Sequence, residues 1–495
     1  MEHLEFTEGK NQQPERKKQT TDLIKWVALA LGAIAYVFSS GRWNFFLTAW
    51  IWPAAFLYFG RQAKRWEFAL LTVLLTAGQV LKWFGLLHTE PGLIILLCAL
   101  WGLSRALPFL ADRLIARRMP GVALRSLVFP AVFTALELLN ALLPMGSLGM
   151  MAYTQSGILP LVQVVSVLGC CGLSFLLWWF GSAAVTVLER RQGWKRLAGV
   201  YLALLAAVFA FGGIRLAVSA AKRADTVRVA CVVAPCQDAN GKDRQFSYRL
   251  YLSPEARRAA DGGAKIACWN EEAFLCSSSE EAVMFAEAKE LASTHRMTLI
   301  IGYTCYTYHE VRNKSVIVLP DGSVTEYLKT NLVPIAEGGV RGTGEIPTVV
   351  TENGIISNVI CFDDTCFDYV RGAGANTNEH FRDTDILFVP AWDWDVVKYV
   401  HSNMSEFRAV ENGEALVKPT QEGITTVVDA YGRRILRSDT ADTGFDTVQF
   451  ADVPIRSVHT VYGLLGAVTD LGFGLFGLAL LVYGTLTVLK SKRKE

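Results

Sequence analysis

The run Ile355-Ile-Ser-Asn-Val-Ile-Cys-Phe-Asp-Asp364 changes at Cys361 from apolar, largely β-branched residues to acidic ones. Such a run predicts a buried strand, and a strand that stops at a cysteine can present the thiol at the edge of a sheet. A side chain at this kind of corner is held rigidly and is still accessible, as a nucleophile must be. The alternative interpretation is a cysteine that only packs in the core at the end of a strand.

Two other stretches carry the groups that a thiol nucleophile needs. Ala264-Lys-Ile-Ala-Cys-Trp-Asn-Glu-Glu-Ala-Phe274 predicts an apolar strand that ends in Glu271 and Glu272. Tyr327-Leu-Lys-Thr-Asn-Leu-Val-Pro-Ile-Ala-Glu337 contains a lysine and a second carboxylate. A carboxylate, an ammonium and a thiol therefore follow one another along the chain.

The three stretches, in this order, resemble the nitrilase (carbon–nitrogen hydrolase) superfamily, whose catalytic set is Glu–Lys–Cys. The superfamily's Trp-Pro-Glu pattern falls on Trp269-Asn270-Glu271, and its Lys-x-x-Leu-Val-Pro-x-x-Glu pattern falls on Lys329 to Glu337 without a gap. Its Cys-Tyr-Glu pattern falls on Cys361-Phe362-Asp363. Each match alone is weak, and the three in order are specific.

Composition indicates a membrane protein with a separate polar domain. Of 495 residues, 52% are hydrophobic and 19% are charged, with a mean hydropathy of +0.28. Residues 226–455 contain 33 acidic and 21 basic residues, which leaves 13 acidic and 27 basic residues for the rest of the chain. An acidic domain gives no support to nucleic-acid binding, which needs a basic face. The chain length also predicts more than one domain.

Eight apolar stretches are near or above the ~20 residues that cross a bilayer. They lie at about 23–39, 42–60, 67–87, 91–110, 122–144, 160–188, 196–218 and 461–489. Lys and Arg cluster after the second, fourth, sixth and eighth stretches, whereas the loops 88–91 and 144–159 contain neither. The positive-inside rule then predicts that both termini are cytoplasmic and that the domain between spans seven and eight lies outside.

The predicted organisation has five parts. They are a polar cytoplasmic N-terminus (1–22), seven transmembrane helices (23–218), a catalytic domain (226–455), an eighth transmembrane helix (461–489) and a basic cytoplasmic tail (490–495).

Residues 226–455 alternate strand and helix signals. Strands are predicted at 226–233, 265–269, 298–302 and 386–390, helices at 280–295 and 402–412, and hairpin turns at Asp321-Gly322 and Asn353-Gly354. The pattern predicts an α/β domain, and the superfamily resemblance implies a four-layer α-β-β-α sandwich.

A nitrilase-like domain held between a seventh and an eighth span resembles the apolipoprotein N-acyltransferase family of bacterial inner membranes. Ser147–Gln155 and Gly172–Phe175 are similar to that family's outer loop and the following span. Arg408–Gly413 and Thr420–Thr425 are similar to its late helix and strand. The likeness covers nearly all of the chain. It implies a monomeric enzyme without a metal or other cofactor, with a phospholipid as acyl donor and a diacylglyceryl lipoprotein as acceptor.

The resemblance gives each site residue a role. Glu271 is the expected base, although its neighbour Glu272 is not excluded, and alternation along a strand would point the two to opposite faces. Lys329 is expected to stabilise an oxyanion by its positive charge, together with the backbone N–H of Phe362. Glu337 would orient Lys329 or carry a proton.

Several departures from the family pattern surround this set, and three of them fall within the quoted motifs. Asn270 stands where proline is usual, Phe362 where tyrosine is usual, and Asp363 where glutamate is usual. They put the preference for substrate in question more than the chemistry.

Two other functions stay open at this point. The same three groups could hydrolyse small amides in a membrane-anchored amidase, or could acylate a different amine, because all of these reactions pass through a thioester. A third hypothesis is a protein that binds lipid or lipoprotein without turnover, which the intact Glu271, Lys329 and Cys361 set argues against.

Overall fold

A computed structural model describes residues 8–86, 90–221, 224–234, 248–373, 384–440 and 447–492. The N-terminal half is helical, and the long polar-to-apolar first helix is followed by shorter ones joined by tight turns. The helices are α1 (Glu8–Val37), α2 (Thr48–Gln62), α3 (Arg65–Trp83), α4 (Pro91–Ser104), α5 (Leu107–Leu114), α6 (Val122–Ala141), α7 (Leu159–Val162), α8 (Val165–Leu188) and α9 (Trp194–Ala221).

Five helical segments in the described residues are long and apolar enough to cross a membrane. They are Pro91–Arg118, Val122–Ala141, Val165–Leu188, Trp194–Ala221 and Val461–Lys490. These five coincide with five of the eight predicted spans. The other three predicted spans fall on α1, α2 and α3, of which α2 has 15 residues and measures about 22 Å. The outer parts of the two predicted polar termini, residues 1–7 and 493–495, lie outside the described residues.

The C-terminal half is an α/β domain followed by a last long helix. Its strands are β1 (Thr226–Val233), β2 (Ile266–Trp269), β3 (Phe274–Ser277), β4 (Thr298–Tyr306), β5 (Val311–Val318), β6 (Val324–Leu328), β7 (Thr348–Thr351), β8 (Gly354–Asn358), β9 (Ile386–Phe388), β10 (Ala391–Trp392), β11 (Ala415–Lys418), β12 (Thr420–Gln421), β13 (Ile424–Val428), β14 (Arg434–Asp439) and β15 (Thr447–Pro454). Its helices are α10 (Tyr248–Asp261), α11 (Ser278–His295), α12 (Phe367–Val370) and α13 (Lys398–Asn412), and α14 (Val461–Lys492) closes the described chain.

Two sheets pack face to face in this domain. One has the strand order β15-β1-β2-β4-β5-β6, with β3 also paired to β4, and the other has the order β14-β13-β11-β9-β8-β7. Alternation along β1 sends Val227, Val229 and Cys231 into the apolar layer between the sheets, and Ala230 and Val232 to the opposite face. Helices α10 and α11 cover that face, and α13 covers the outer face of the second sheet. The domain is therefore an α-β-β-α sandwich, as the resemblance implied.

The local predictions in this domain are confirmed closely. Strand β1 has the predicted bounds, the predicted helices 280–295 and 402–412 lie within α11 and α13, and both predicted hairpin turns join paired strands. The strand predicted to stop at Cys361 is β8, which ends at Asn358, three residues earlier. Cys361 begins a 3-10 turn that runs to Thr365.

The α/β domain sits directly on the ends of the membrane helices. Ser147, in the loop after α6, donates its backbone N–H and its hydroxyl to the Thr365 carbonyl, at 3.0 and 2.5 Å. Glu411, at the end of α13, accepts a hydrogen bond from the Cys170 N–H of α8 at 2.8 Å. Because Thr365 belongs to the same turn as Cys361, the membrane helices and the thiol are fixed relative to each other.

Helix α14 packs against α6 and α8. Helix α8 is interrupted at Gly169, whose φ is +62°. A Cβ at Gly169 would lie 2.1 Å from the ring of Tyr462 in α14, so glycine is required for this contact.

Candidate active site

Three segments of the α/β domain bring the predicted catalytic residues together. Glu271 lies in the turn after β2, Lys329 follows β6, and Cys361 begins the turn after β8. The turn that carries Glu271 passes over β4 so closely that a Cβ at Gly302 would be 2.2 Å from the Asn270 carbonyl oxygen. Glycine at this position therefore allows the Glu271 turn to approach the sheet.

Lys329 lies between the two carboxylates named from the sequence. Its Nζ is 2.7 Å from Glu271 Oε1 and 2.7 Å from Glu337 Oε2. The lysine side chain is almost wholly buried. Burial lowers the pKa of the ammonium, but the neighbouring carboxylates of Glu271 and Glu337 outweigh burial and raise it well above its usual value. Lys329 is therefore a fixed positive charge.

Two further groups hold the carboxylates, and neither was identified from the sequence. The Asn313 amide of β5 donates to Glu271 Oε1 at 2.7 Å and to Glu337 Oε1 at 2.9 Å. The Trp392 backbone N–H of β10 donates to Glu271 Oε2 at 3.0 Å. Glu271 is thus held by three donors on three different segments, which fixes its orientation.

Cys361 combines a strained backbone with a buried thiol. Its φ is +45°, in the left-handed region that non-glycine residues seldom adopt. Its Sγ contacts the Trp392 carbonyl at 3.6 Å. Burial, followed by the charge of Glu271, raises the pKa of the thiol well above its usual value, against the opposing charge of Lys329. The thiol is protonated in this state and needs a base to react.

The backbone N–H of Phe362 was predicted to assist Lys329 at an oxyanion. The Cys361 N–H donates to the Pro390 carbonyl at 2.9 Å, whereas the Phe362 N–H makes no backbone or side-chain hydrogen bond within the described ranges. It is therefore available beside the thiol for a substrate oxygen.

Glu271 and Glu272 are not placed by strand alternation. Strand β2 ends at Trp269, and both glutamates lie in the following turn, where Glu272 has a φ of +52°. Burial, and then the charge of Glu271, raises the pKa of Glu272 to about 7. Glu271 contacts Lys329 directly, and this geometry favours Glu271 as the base.

Asp363 holds the turn that contains Cys361 by accepting hydrogen bonds from residues before and within it. Its Oδ2 accepts hydrogen bonds from the Tyr327 hydroxyl at 2.7 Å and the Ile360 N–H at 3.0 Å. Its Oδ1 accepts from the Asn331 backbone N–H at 2.8 Å. Burial raises the pKa of this carboxyl to about 6. Asp363 therefore joins the turn of Cys361 to the segment that carries Lys329.

A buried charged cluster on the other side of Cys361 was missed in the sequence. His401 of α13 lies between Asp364, 2.6 Å from Nε2, and Asp393, 2.5 Å from Nδ1. Lys418 Nζ of β11 is 3.2 Å from Asp364. Burial lowers the pKa of His401, but the two aspartates outweigh it and raise the pKa to about 9. No local spacing joins these residues, so the sequence offered no signal for them.

This cluster also contains the one group of potential metal ligands found in the described residues. Ligand atoms of Cys361, Asp393 and His401 lie within 4.8 Å of one another. Both ring nitrogens of His401 are already hydrogen-bonded to carboxylates, so neither offers a free lone pair to a metal ion. The arrangement is that of an imidazolium held by two carboxylates.

Two cavities adjoin at the thiol. A small one, of about 20 Å³, is lined by Cys361, Phe362, Asp393 and His401 together with apolar side chains. A second, of about 300 Å³, lies between α4 and the end of α6 with the loop that follows, and is lined mainly by apolar residues. Leu86, Met145 and Leu148 line both cavities. The thiol therefore lies beside an apolar space within the membrane helices.

Comparison with known proteins gives consistent matches. The sequence model of the apolipoprotein N-acyltransferase N-terminal domain matches residues 32–183. An apolipoprotein N-acyltransferase of Geobacter metallireducens is 26% identical over 437 residues, which cover 78% of this chain and 81% of the relative. Another, of Bradyrhizobium diazoefficiens, is 26% identical over 361 residues, which cover 64% of this chain and 65% of the relative.

Among solved structures, an amidase from Nesterenkonia sp. is similar to part of the chain. The identity is 18% and the TM-score is 0.41, over 48% of this chain and 93% of the amidase. The matches to the sequence model and to the curated relatives point to one family. This chain is similar to the apolipoprotein N-acyltransferases in its membrane helices and over most of its length.

Proposed function

We propose that the protein transfers a fatty acyl chain from a phospholipid to the α-amine of the S-diacylglyceryl cysteine of lipoproteins, through a thioester on Cys361. The observation that carries the lipid donor is the pair of adjoining cavities, because a thiol beside an apolar space between membrane helices suits an acyl chain. The names of the curated relatives support the reaction class.

In the first half-reaction, Glu271 takes the proton of the Cys361 thiol as the sulfur attacks the ester carbonyl. Proton removal and attack go together because the buried thiol is protonated beforehand. The Lys329 ammonium and the Phe362 N–H stabilise the oxyanion. The ester C–O bond then breaks, Glu271 returns the proton to the leaving alkoxide, and a lysophospholipid departs.

In the second half-reaction, a neutral α-amine attacks the thioester carbonyl. An α-amino group has a pKa of about 7.7–8, so an appreciable share is neutral at working pH. The C–S bond breaks, Glu271 takes the proton from the amine and passes it to the leaving Cys361 sulfur, and the thiol is restored as the amide leaves. Glu337 and Asn313 hold Lys329 and Glu271 in place in both halves.

We propose eight spans with both termini in the bacterial cytoplasm and the α/β domain outside, at the inner membrane, in a chain that acts as a monomer. The Lys and Arg distribution between loops supports this orientation. Helix α2 is short for a span, and the exposed side chains of Phe45, Phe46 and Leu47 before it supply further apolar length.

A membrane-anchored amidase for small amides is not favoured. Such an enzyme gains nothing from an apolar cavity within its membrane helices beside the nucleophile. The acyltransferase and amidase also differ in a direct observable, the fate of the thioester.

The test is to incubate purified protein in detergent with a phospholipid and no acceptor, and to measure the intact mass. We expect a fatty-acyl adduct on Cys361 that neutral hydroxylamine removes, and no adduct on Cys361→Ala. Cys366→Ala, which changes a neighbouring cysteine, is the matched control and keeps the adduct.

Adding a diacylglyceryl-cysteine peptide with a free α-amine should discharge the adduct and acylate the peptide. An N-acetylated peptide should leave the adduct intact, because its amide nitrogen is not a nucleophile. Decay of the adduct to free fatty acid, with the free-amine peptide unchanged, would refute the transfer.

A further inference from the structure

A basic cavity lies at the end of the membrane helices that is farthest from Cys361. It has a volume of about 400 Å³ and is open to the surface; Arg61, Arg117, Arg125 and Arg191 are among its lining residues. Helix α6 begins at this cavity with Val122 and ends near the α/β domain with Ala141. Twenty helical residues measure about 30 Å, the thickness of the apolar core of a bilayer. The cavity therefore lies at the opposite membrane surface from the candidate active site.

Two of the four arginines are neutralised by carboxylates. Arg61 donates to Asp112 at 2.8 and 2.9 Å and lies 3.4 Å from Glu189. Arg191 pairs with the same Glu189. The buried Arg61–Asp112 pair forms the floor of the cavity and leaves no free carboxylate there.

The other two arginines have only carbonyl partners. Arg117 donates to the Arg61 carbonyl, and Arg125 Nε donates to the Met119 carbonyl at 2.8 Å. Neither has a carboxylate within ion-pair distance in the part of the chain that the structure describes. Four guanidinium groups against two carboxylates leave two positive charges in excess within one concave site.

Two helix N-termini add to this positive potential. Gly121 and Val122 line the cavity at the start of the 20-residue α6, which has no side-chain N-cap. Gln192 and Gly193 line it immediately before the 28-residue α9. The first N–H groups of a helix have no partner within it and favour anions, phosphate in particular.

We infer that this cavity binds a phosphate group, supplied by an anionic phospholipid of the leaflet opposite the candidate active site. A phosphate oxygen accepts from the planar guanidinium fork more strongly than from a neutral donor. Leu114 and Leu188 lie two residues along the chain from the lining residues Ala116 and Thr186, and their side chains are 50% and 68% exposed. These apolar side chains offer a surface for the acyl chains of a lipid, which a soluble phosphate would not use.

The test measures binding of phosphatidylglycerol to the whole protein in a neutral detergent, by native mass spectrometry and by the shift in melting temperature. The variant Arg117→Gln/Arg125→Gln removes the two arginines without carboxylate partners. The matched control, Arg118→Gln/Arg196→Gln, removes the same charge at the same membrane end from exposed residues outside the cavity lining. Phosphatidylcholine and inorganic phosphate are the comparison ligands.

We expect phosphatidylglycerol to bind the wild type and the control equally, and to bind the cavity variant about tenfold more weakly or worse. Arg125→Lys, which keeps the charge and loses the fork, should lie between them and guards against a folding defect in the double variant. Equal loss in the control would overturn the site, because it would reflect surface charge alone. Equal stabilisation by phosphatidylcholine would do the same. Stabilisation by inorganic phosphate as strong as by the lipid, and lost in the cavity variant, would support the phosphate site and overturn the lipid as its source.

Discussion

The backbone conformation of Cys361 is as unusual as the burial of its thiol. The N–H of the next residue, Phe362, makes no backbone hydrogen bond in the described ranges, and Cys361 itself has a φ of +45° in the turn after β8. Holding a non-glycine residue in this region costs of order 1–3 kcal/mol. Asp363, which joins this turn to the segment that carries Lys329 through three hydrogen bonds, supplies part of the compensation.

Replacing Glu271 should stop acylation, whereas replacing Glu272 should not. We expect Glu271→Gln to slow adduct formation on Cys361 by about 10²–10⁴-fold, the usual range for loss of a general base. Glu272→Gln is the matched control, and it should change the rate much less because it leaves the contact between Glu271 and Lys329 in place. The initial rate of adduct formation from phospholipid checks both. A larger loss in Glu272→Gln would show that the base is the other member of the pair.

His401 should make stability depend on pH in the alkaline range. Its pKa rises from an ordinary 6.5 to about 9 in the folded protein, so its contribution is complete below pH 6.5 and is lost as pH rises through 9. One such proton lowers the free energy of unfolding by at most about 1.4 kcal/mol per pH unit in this window. Nearby Lys418 opposes the shift, and Glu272 titrates at lower pH.

The measurement is the apparent melting temperature between pH 6 and pH 10. The decline should be shallower in His401→Gln than in the wild type, whatever the absolute stability of the variant. His309→Gln, which removes an exposed histidine, should keep the wild-type slope. Identical slopes in all three proteins would contradict the assignment.

The sequence identified the residues that sit in local patterns and missed those that do not. Lys329 and Glu337 are eight residues apart and were found together, and the structure joins them at 2.7 Å. Asn313 and His401 come from distant elements whose meeting depends on the sheet order. The sequence of a strand does not show which other strand will lie beside it, and so does not show which residues its side chains will contact.

The apolar cavity is lined by α4, by Asn140 near the end of α6 and by the loop that follows α6. Its lining continues through the loop after α6, where Met145 and Leu148 reach the thiol cavity. The length of this space should therefore limit the acyl chain that Cys361 accepts.

Filling the cavity should shorten the preferred chain. Leu97→Trp adds a large side chain to the cavity lining on α4, and we expect it to lower adduct formation from a hexadecanoyl donor several-fold relative to an octanoyl donor. Leu96→Trp makes the same change on the next residue, which is 54% exposed and outside the lining, and should leave the ratio unchanged. Intact-mass measurement with the two donors gives the ratio. An unchanged ratio in Leu97→Trp would show that the cavity does not hold the acyl chain of the donor.

The spacing of apolar residues and the turn residues were sufficient to predict the strands and hairpins of the α/β domain. They were less sufficient for predicting the membrane helices. Alternating β-branched runs between glycine turns gave β1 and both hairpins. The break in α8 was not predicted, because Gly169 needs the ring of Tyr462, some 290 residues later, to explain it.

For the whole chain, orientation is the property to test next. If the α/β domain lies outside, Val283→Cys, on the exposed face of α11, should react with an impermeant thiol reagent in intact cells after any outer membrane is permeabilised. Arg118→Cys, at the opposite membrane end, should react only after lysis, and a reporter fused after Lys494 should be active only in the cytoplasm. Reaction of Arg118→Cys before lysis would reverse the proposed orientation.

The two-part architecture followed from the charge split and the apolar stretches, because a bilayer and water select different compositions. What composition could not give is the contact between the parts. The hydrogen bonds of Ser147 to Thr365 and of Glu411 to Cys170 join residues more than 200 positions apart. Such pairs arise from packing, which hydropathy does not encode.

The place of α14 against α6 and α8 also fixes an order of events during biosynthesis. About 230 residues of the α/β domain leave the ribosome between α9 and α14, which takes roughly 10–45 s at ordinary rates of synthesis. During that interval the groove that receives Tyr462 at Gly169 faces lipid or a chaperone. Helix α14 is therefore the last helix to pack. A nascent chain stalled before it would have a folded α/β domain above a set of membrane helices that is still incomplete.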